Sequence, residues 1–220
     1  MRAMILAAGR GKRMAHLTNE MPKPLLRVKD RYLIEYPIYS LAKIGITEII
    51  INIAYLQEQI KTALGDGSRY GVNIQYSVEQ EALETGGGIF RALPLLGKDP
   101  FIVMSCDIIS EYPLQNLIKN LTQLAHIVLV NNPDFHPDGD FYLQGNNVLH
   151  EGEKKLTFAN IGIYRPKLFE HCQPGKFRLG DVLKTAIQNN QVTGEHYSGM
   201  WHNLGTPAQL QIVENDKHVQ

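Results

Sequence analysis

The chain is expected to adopt an α/β fold in which a mainly parallel sheet is flanked by helices and a small antiparallel layer is fused to it. Three observations lead there. Through residues 1–130, short β-branched runs alternate with longer amphipathic stretches, the sequence sign of strand-helix-strand units. Beyond residue 130 the rhythm changes to a loop containing proline and glycine, followed by a hairpin signal. No Ser/Gly-rich or charged tether separates the two parts, so 1–220 reads as one domain with halves at 1–130 and 131–220.

The elements follow in order. Ala3 to Ala8 is an unbroken apolar run and gives the first buried strand. Leu33 to Ile44 places Ile34, Ile38, Leu41 and Ile44 near one helix face and meets Gly45, which suits the left-handed residue that closes a helix. Pro37 fits only near that helix's start. Ile49 to Ile53 is the second strand, Leu56 to Leu64 a helix ended by Gly65, Val72 to Ser77 the third strand, and Ile89 to Leu96 another helix. Phe101 to Met104 is the fourth strand, followed by a helix over Leu114 to Leu124 and a strand over Ile127 to Val130. Asn131 to Asp140, with Pro133, Pro137 and Gly139, is loop; Phe141 to Leu149 is a hairpin turning at Gly145 and Asn146, and Leu156 to Tyr164 pairs back.

Composition narrows the function. With 44% hydrophobic residues in 220, the chain can bury a sizeable core and is not intrinsically disordered. Lys+Arg and Asp+Glu number 22 each, so the net charge is zero, which argues against a general nucleic-acid or anionic-membrane binder. Any polyanion it takes must be small and held locally. The only cysteines, Cys106 and Cys172, cannot make a disulfide framework or a four-thiolate zinc site. The longest apolar stretch, Ile46 to Leu56, is broken by Thr47, Glu48 and Asn52, too short to span a bilayer. Met4 to Ala8 is too short for a signal-peptide core, and Arg10, Lys12 and Arg13 follow it instead of preceding it. A cytoplasmic chain is the expectation.

Leu6-Ala7-Ala8-Gly9-Arg10-Gly11-Lys12-Arg13-Met14 puts two glycines and three cations directly beyond a strand. Backbone N–H groups opened by glycine can approach phosphate oxygens, and a helix start behind them would add positive potential. The alternative is a surface turn with solvated cations. A dinucleotide fingerprint needs a third glycine where Met14 stands, and a P-loop needs Gly-Lys-Ser/Thr, so neither fits. Further on, Met21-Pro22-Lys23-Pro24 holds a lysine on a stiff extended segment, a preorganised positive charge or a plain helix stop.

Taken together, Leu6 to Val28 resembles the signature of the sugar-phosphate nucleotidyltransferases: leucine-alanine-alanine-glycine, glycine, arginine-methionine, then proline-lysine-proline-leucine. The likeness continues over almost the whole chain. His16 stands where many members carry proline, which alters loop stiffness and none of the charges. The resemblance implies a Rossmann-like sheet of the nucleotide-diphospho-sugar transferase type with a sugar-binding layer. It implies nucleotide contacts from Leu6, Ala8, Gly9, Gly11 and Lys12, with Arg13 and Lys23 as the catalytic cations.

Phe101 to Asp107 runs apolar until its final carboxylate, a hard oxygen ligand suited to Mg²⁺. In the family this is the metal-binding aspartate, although Cys106 replaces the usual glycine; a helix-capping aspartate is the alternative. Cys106 is not expected to act as a nucleophile. The second metal position falls on Asn203, where many relatives have aspartate and N-acetylglucosamine-1-phosphate uridylyltransferases also have asparagine. Its amide still offers a carbonyl oxygen.

Glu79 to Gly88 ends in three glycines, which favour close approach by a ligand or by another backbone. The family's base-reading loop implies contacts from Glu79, Leu83, Thr85 and Gly86. A carboxylate at position 79 can accept from the N3–H of uracil or thymine, and the N1–H and N2 amine of guanine would satisfy it as well. Gly139 and Asn160 match sugar-contacting positions in a looser register; Glu151 and Glu153 are candidates for a sugar-binding carboxylate.

Within the family, the short length, Glu84 to Gly88, Gly139-Asp140-Phe141 and Gly194-Glu195-His196-Tyr197 look most like the branch that uridylylates N-acetylmuramic acid α-1-phosphate in bacterial peptidoglycan recycling. The implied partners are UTP, a sugar 1-phosphate and Mg²⁺, with no nucleic acid or membrane, in a monomer or dimer. Two alternatives stand beside it. One is a guanylyl- or thymidylyltransferase acting on mannose or glucose 1-phosphate; the other is a nucleotide-sugar sensor without turnover.

Overall fold

The computed structural model describes residues 1–216. Four strands open the fold as a parallel group: β1 (Arg2–Leu6), β4 (Glu48–Ile53), β5 (Asn73–Val78) and β6 (Phe101–Ser105). Between β1 and β4 lie the short ribbon β2 (Arg27–Val28) and β3 (Arg31–Tyr32) and helix α1 (Glu35–Lys43). Helix α2 (Gln57–Leu64) joins β4 to β5, and α3 (Glu84–Leu96) joins β5 to β6. Then come β7 (Ile108–Ser110), α4 (Gln115–Asn120), β8 (Ala125–Val130), the hairpin β9 (Phe141–Gln144) and β10 (Asn147–Leu149), and β11 (Lys155–Tyr164). Beyond the reach of the periodicity above, the structure adds α5 (Leu179–Gln188), β12 (Val192–Tyr197), β13 (Trp201–Asn203) and α6 (Pro207–Asn215).

The nine-stranded main sheet runs β5-β4-β1-β6-β11-β8-β12-β10-β9, and β7 pairs separately with β13. Its central strands β4, β1, β6 and β8 are buried on both faces, whereas β5, β9 and β10, at or next to the sheet's edges, carry exposed residues. Along β1 successive side chains alternate sides: Ala3 and Ile5 join a cluster with Ile38, Leu41 and Ile60 under α1 and α2, while Met4 joins Ile89, Leu96, Leu183 and Ile187 under α3 and α5. The α/β expectation therefore holds, with one correction. The antiparallel strands do not form a layer of their own; β11 inserts antiparallel between β6 and β8 and carries the same sheet onward. Ladder hydrogen bonds left open at the edge of β6 are met most directly by another strand in plane.

Three local expectations are also corrected. The segment after the glycine turn is a 3₁₀ stretch, Lys12–Thr18, broken at Ala15 (φ 52°), so no α-helix start stands behind the phosphate-type turn. Helix α3 begins five residues before the expected Ile89, taking all three glycines into its first turns. Helix α4 stops at Asn120 because Leu121 leaves the helical region. A smaller cluster of Met14, Leu26, Val28, Leu33, Leu204 and Val213 folds α6 back onto the N-terminal loops. Among the described residues no helix is long and apolar enough to cross a membrane.

Candidate active site

Register collects the site at one edge. Leu6 pairs with Asn52 on one side and Ser105 on the other, and Asn52 pairs with Ser77. The residues following β1, β4, β5 and β6 therefore emerge together at the carboxyl ends of parallel strands, where open α/β sheets take ligands. Leu6 and Ala8 lie at the root of the glycine turn, Gly11 is half-buried, and Gly9 and Lys12 are exposed. A Cβ on Gly9 would meet nothing within 4 Å, whereas one on Gly11 (φ +69°) would meet the Lys23 Cβ at 2.9 Å. Gly9 leaves the rim open, and Gly11 makes room for the lysine stem beneath it. Arg10 is turned aside over the Tyr55 ring, 5.3 Å from its centroid.

Lys23 is only 8% exposed, and its ammonium forms an ion pair with the Asp107 carboxylate. The two residues singled out for opposite charge, 84 positions apart, thus share one spot. Asn203 reaches the same place through β13: it pairs with Ile108, and Leu204 N–H donates to the Asp107 carbonyl at 2.9 Å. The Asn203 Oδ1 is buried and has no hydrogen-bond partner. Burying an unpaired carbonyl oxygen is costly, and this one lies on the strand paired beside Ile108, the residue after Asp107. Two hard oxygen donors suit Mg²⁺, which usually takes few protein ligands and completes its shell with water and phosphate. No cluster of three or more His, Cys, Asp and Glu that could hold a metal ion exists among the described residues.

Arg13 is exposed and bends over Gly205, where an added Cβ would meet its guanidinium at 3.1 Å. Gly205 in turn donates to the Gln209 Oε1 at 2.8 Å, and the Thr206 hydroxyl accepts from Gln209 N–H, so α6 is capped where Arg13 passes. Cys106 is buried, and desolvation, with the Asp107 charge adding to it, pushes its thiol up to about 12. A protonated thiol is no nucleophile.

The base-reading segment is placed differently from expectation. Glu79 is 1% exposed and both of its oxygens are engaged: Oε1 accepts from Asn52 Nδ2 at 2.7 Å and Oε2 from Leu83 N–H at 2.9 Å. Asn52 Oδ1 accepts from Ala7 N–H at 2.9 Å, so one chain of hydrogen bonds ties the glycine turn to the 79–83 loop. Glu79 braces the loop from below. Gly86 and Gly87 N–H groups donate to the Phe177 carbonyl, and a Cβ on Gly87 would lie 2.2 Å from the Gly175 oxygen. The glycines serve the second reason foreseen for them, approach by another backbone. Thr85 Oγ1 accepts from Leu179 N–H at the start of α5. The residue missed from sequence is Asn52; its signal was a lone asparagine in an isoleucine-rich strand.

On the sugar side, Asn160 sits at a bulge in β11 with φ 57°, one position beyond the Ile161–Met104 pair and so beside the strand that leads to Asp107. Gly139 (φ +61°) is buried against Asn132 and Lys155, which makes it a shaper of the 131–140 loop. Glu151 and Glu153 are exposed on the β10–β11 connection. A cavity of about 630 Å³ opens among Asn131, Asp134, Tyr197, Trp201, Asn203 and Gln209.

A carboxylate paired with a buried lysine, close in the fold to an orphan amide oxygen at the carboxyl edge of a mainly parallel sheet, is an arrangement suited to phosphoryl groups. The chain belongs to the nucleotidyl transferase family, whose model matches residues 2–140, and it is an enzyme of that class. It is 44% identical, over 97% of its length and 97% of the relative's, to an N-acetylmuramate alpha-1-phosphate uridylyltransferase of Neisseria meningitidis serogroup B. Against a mannose-1-phosphate guanyltransferase of Schizosaccharomyces pombe the identity is 30% over 94% of this chain and 61% of that one. A Bacillus anthracis protein provisionally named a glucose-1-phosphate thymidylyltransferase and crystallised with sucrose superposes with a TM-score of 0.87 at 24% identity, covering 97% of this chain and 94% of that one, a likeness of fold. Membership of an enzyme family sets the sensor alternative aside.

Proposed function

We propose that the chain transfers a uridylyl group from UTP to the 1-phosphate of an amino sugar, N-acetylmuramic acid α-1-phosphate, releasing pyrophosphate and a UDP-sugar for cell-wall recycling. The observation that carries this reading is the 44% identity sustained over 97% of both chains. In the transfer, an oxygen of the sugar phosphate forms a bond to the α-phosphorus and the bond to the β-phosphate oxygen breaks.

This chain contributes position and charge, the two things such a transfer needs. The turn from Gly9 to Lys12 offers open backbone to the phosphates, and Arg13 offsets the charge of the departing pyrophosphate. Lys23 leaves Asp107 for the α-phosphate as charge builds there. Asp107 and Asn203 would hold Mg²⁺, which when bound neutralises phosphate charge. Glu79, held by Asn52 and Leu83, keeps the base loop rigid. The cavity beside Asn203 offers amide, hydroxyl and ring groups suited to the hydroxyls and acetamido group of a sugar.

The test is pyrophosphate release from UTP, dTTP, GTP and CTP against the 1-phosphates of N-acetylmuramic acid, N-acetylglucosamine, glucose and mannose. The expected result is the highest kcat/KM for UTP with N-acetylmuramic acid α-1-phosphate. A tenfold preference for GTP with mannose 1-phosphate, the activity named for the fission-yeast relative, would overturn it.

A further inference from the structure

Trp201 joins the strand carrying Asn203 to β11. Its indole Nε1–H donates to the carbonyl of Ala159 at 3.0 Å, immediately before Asn160. Asn160 occupies the left-handed region (φ 57°), which asparagine tolerates better than most non-glycine residues. The reason is visible in the ladder: Ala159, Asn160 and Ile161 stand between two β8 pairings that enclose the single residue Val128. Such a bulge re-aims a side chain and leaves backbone groups unpaired in the ladder, so a hydrogen bond from outside the strand pair can hold it.

The indole supplies that hydrogen bond. Trp201 is half-buried against the core under α1, and it lies two residues before Asn203, so both side chains project from the same face of β13. Both also line the cavity of about 630 Å³. We infer that Trp201 is a positioning residue: by holding the Ala159 carbonyl it keeps the bulge, and with it the Asn160 side chain, in one form, and ties that form to the strand carrying Asn203 at the cavity proposed for the acceptor sugar. The inference rests on the proposed sugar-phosphate acceptor for its kinetic consequence, and on hydrogen-bond geometry alone for its structural one.

Trp201→Phe keeps most of the ring and removes the N–H. With UTP and N-acetylmuramic acid α-1-phosphate as probes, the KM for the sugar phosphate should rise about fivefold, the loss of one neutral hydrogen bond. The KM for UTP should stay unchanged and kcat should fall by less than about threefold. Asn160→Ala should raise the same KM, and the double variant should do little more than the larger single one, because both act through one contact. Amide hydrogen exchange read by NMR supplies a turnover-free measurement: exchange at 159–161 should speed up about tenfold in Trp201→Phe, with the amides of β4 unmoved. Equal shifts in both KM values, or unchanged exchange at the bulge, would overturn the inference even with the proposed reaction intact. If wild-type protein turned over none of the sugar phosphates, the functional reading would fail, and the exchange result would still decide whether Trp201 holds the bulge.

Discussion

Replacing Lys23 with methionine removes the ammonium that now neutralises Asp107 while keeping an unbranched stem under Gly11. That stem matters, because the glycine turn packs directly on it. The side chains of Lys23 and Asp107 are 10% and 18% exposed, so the pair is screened far less than a surface pair. Two unit charges about 4 Å apart at an effective dielectric near 20 interact by about 4 kcal/mol, and residual solvent access lowers that to about 1.5–3 kcal/mol. A divalent cation competes with this ammonium for the same carboxylate. Lys23→Met should therefore tighten Mn²⁺ binding to the nucleotide-free protein by about 10- to 100-fold, measured by the disappearance of the free-ion EPR signal. The same variant should lose about 10²- to 10³-fold in turnover, since one preorganised charge at the α-phosphate is gone. Mn²⁺ affinity equal to or weaker than wild type would refute the shared-site geometry, whatever happened to the rate.

Four further outcomes follow from the same structure. Arg13→Ala should lower turnover about 10²- to 10³-fold with the circular dichroism spectrum and melting temperature intact, because the side chain is exposed and bears on no core; a near-normal rate would remove it from the mechanism. Asn203→Asp adds a charge where the orphan oxygen lies and should shift the Mg²⁺ titration of activity to lower concentration; an unmoved titration would place Asn203 away from the metal. Gly87→Ala drives a methyl into the Gly175 oxygen and should cost about 2–3 kcal/mol in urea unfolding, while Gly9→Ala, facing open space, should stay within about 0.5 kcal/mol. Burial lowers the pKa of His126 from its usual 6.5, so the unfolded chain binds its proton first as pH falls. Its contribution to stability is therefore complete above pH 6.5 and declines as pH drops toward its folded pKa; His126→Asn should flatten that acid-side slope in pH-dependent denaturation.

Much of the first half, and the hairpin of the second, was legible because the signals there are local. The apolar run at Ala3, the glycine closures at Gly45 and Gly65 and the turn at Gly145-Asn146 each state a conformation within a few residues, and the structure places strands, helix ends and hairpin where they predict. Lys23 between two prolines and Asp107 at the end of an apolar strand could be picked out as chemical groups for the same reason. The glycines at 86–88 could not be resolved from sequence, since the backbone they admit lies at Gly175 and Phe177, ninety residues on. The bracing of Glu79 was hidden for a related reason: its partner Asn52 comes from another strand.

The sequence by itself determined which groups are present and how each segment bends: the cations on a stiff N-terminal scaffold, the carboxylate at a strand end, the hairpin, and the parallel rhythm of the first half. Tertiary structure alone decided that Lys23 meets Asp107, that Asn203 comes beside them through the β7–β13 ribbon, and that β11 enters the main sheet in plane. The physical reason is one of range. Backbone preference acts over a few residues, whereas a buried charge or an open strand edge is satisfied by whatever partner folding brings within a few ångströms, however distant in the chain.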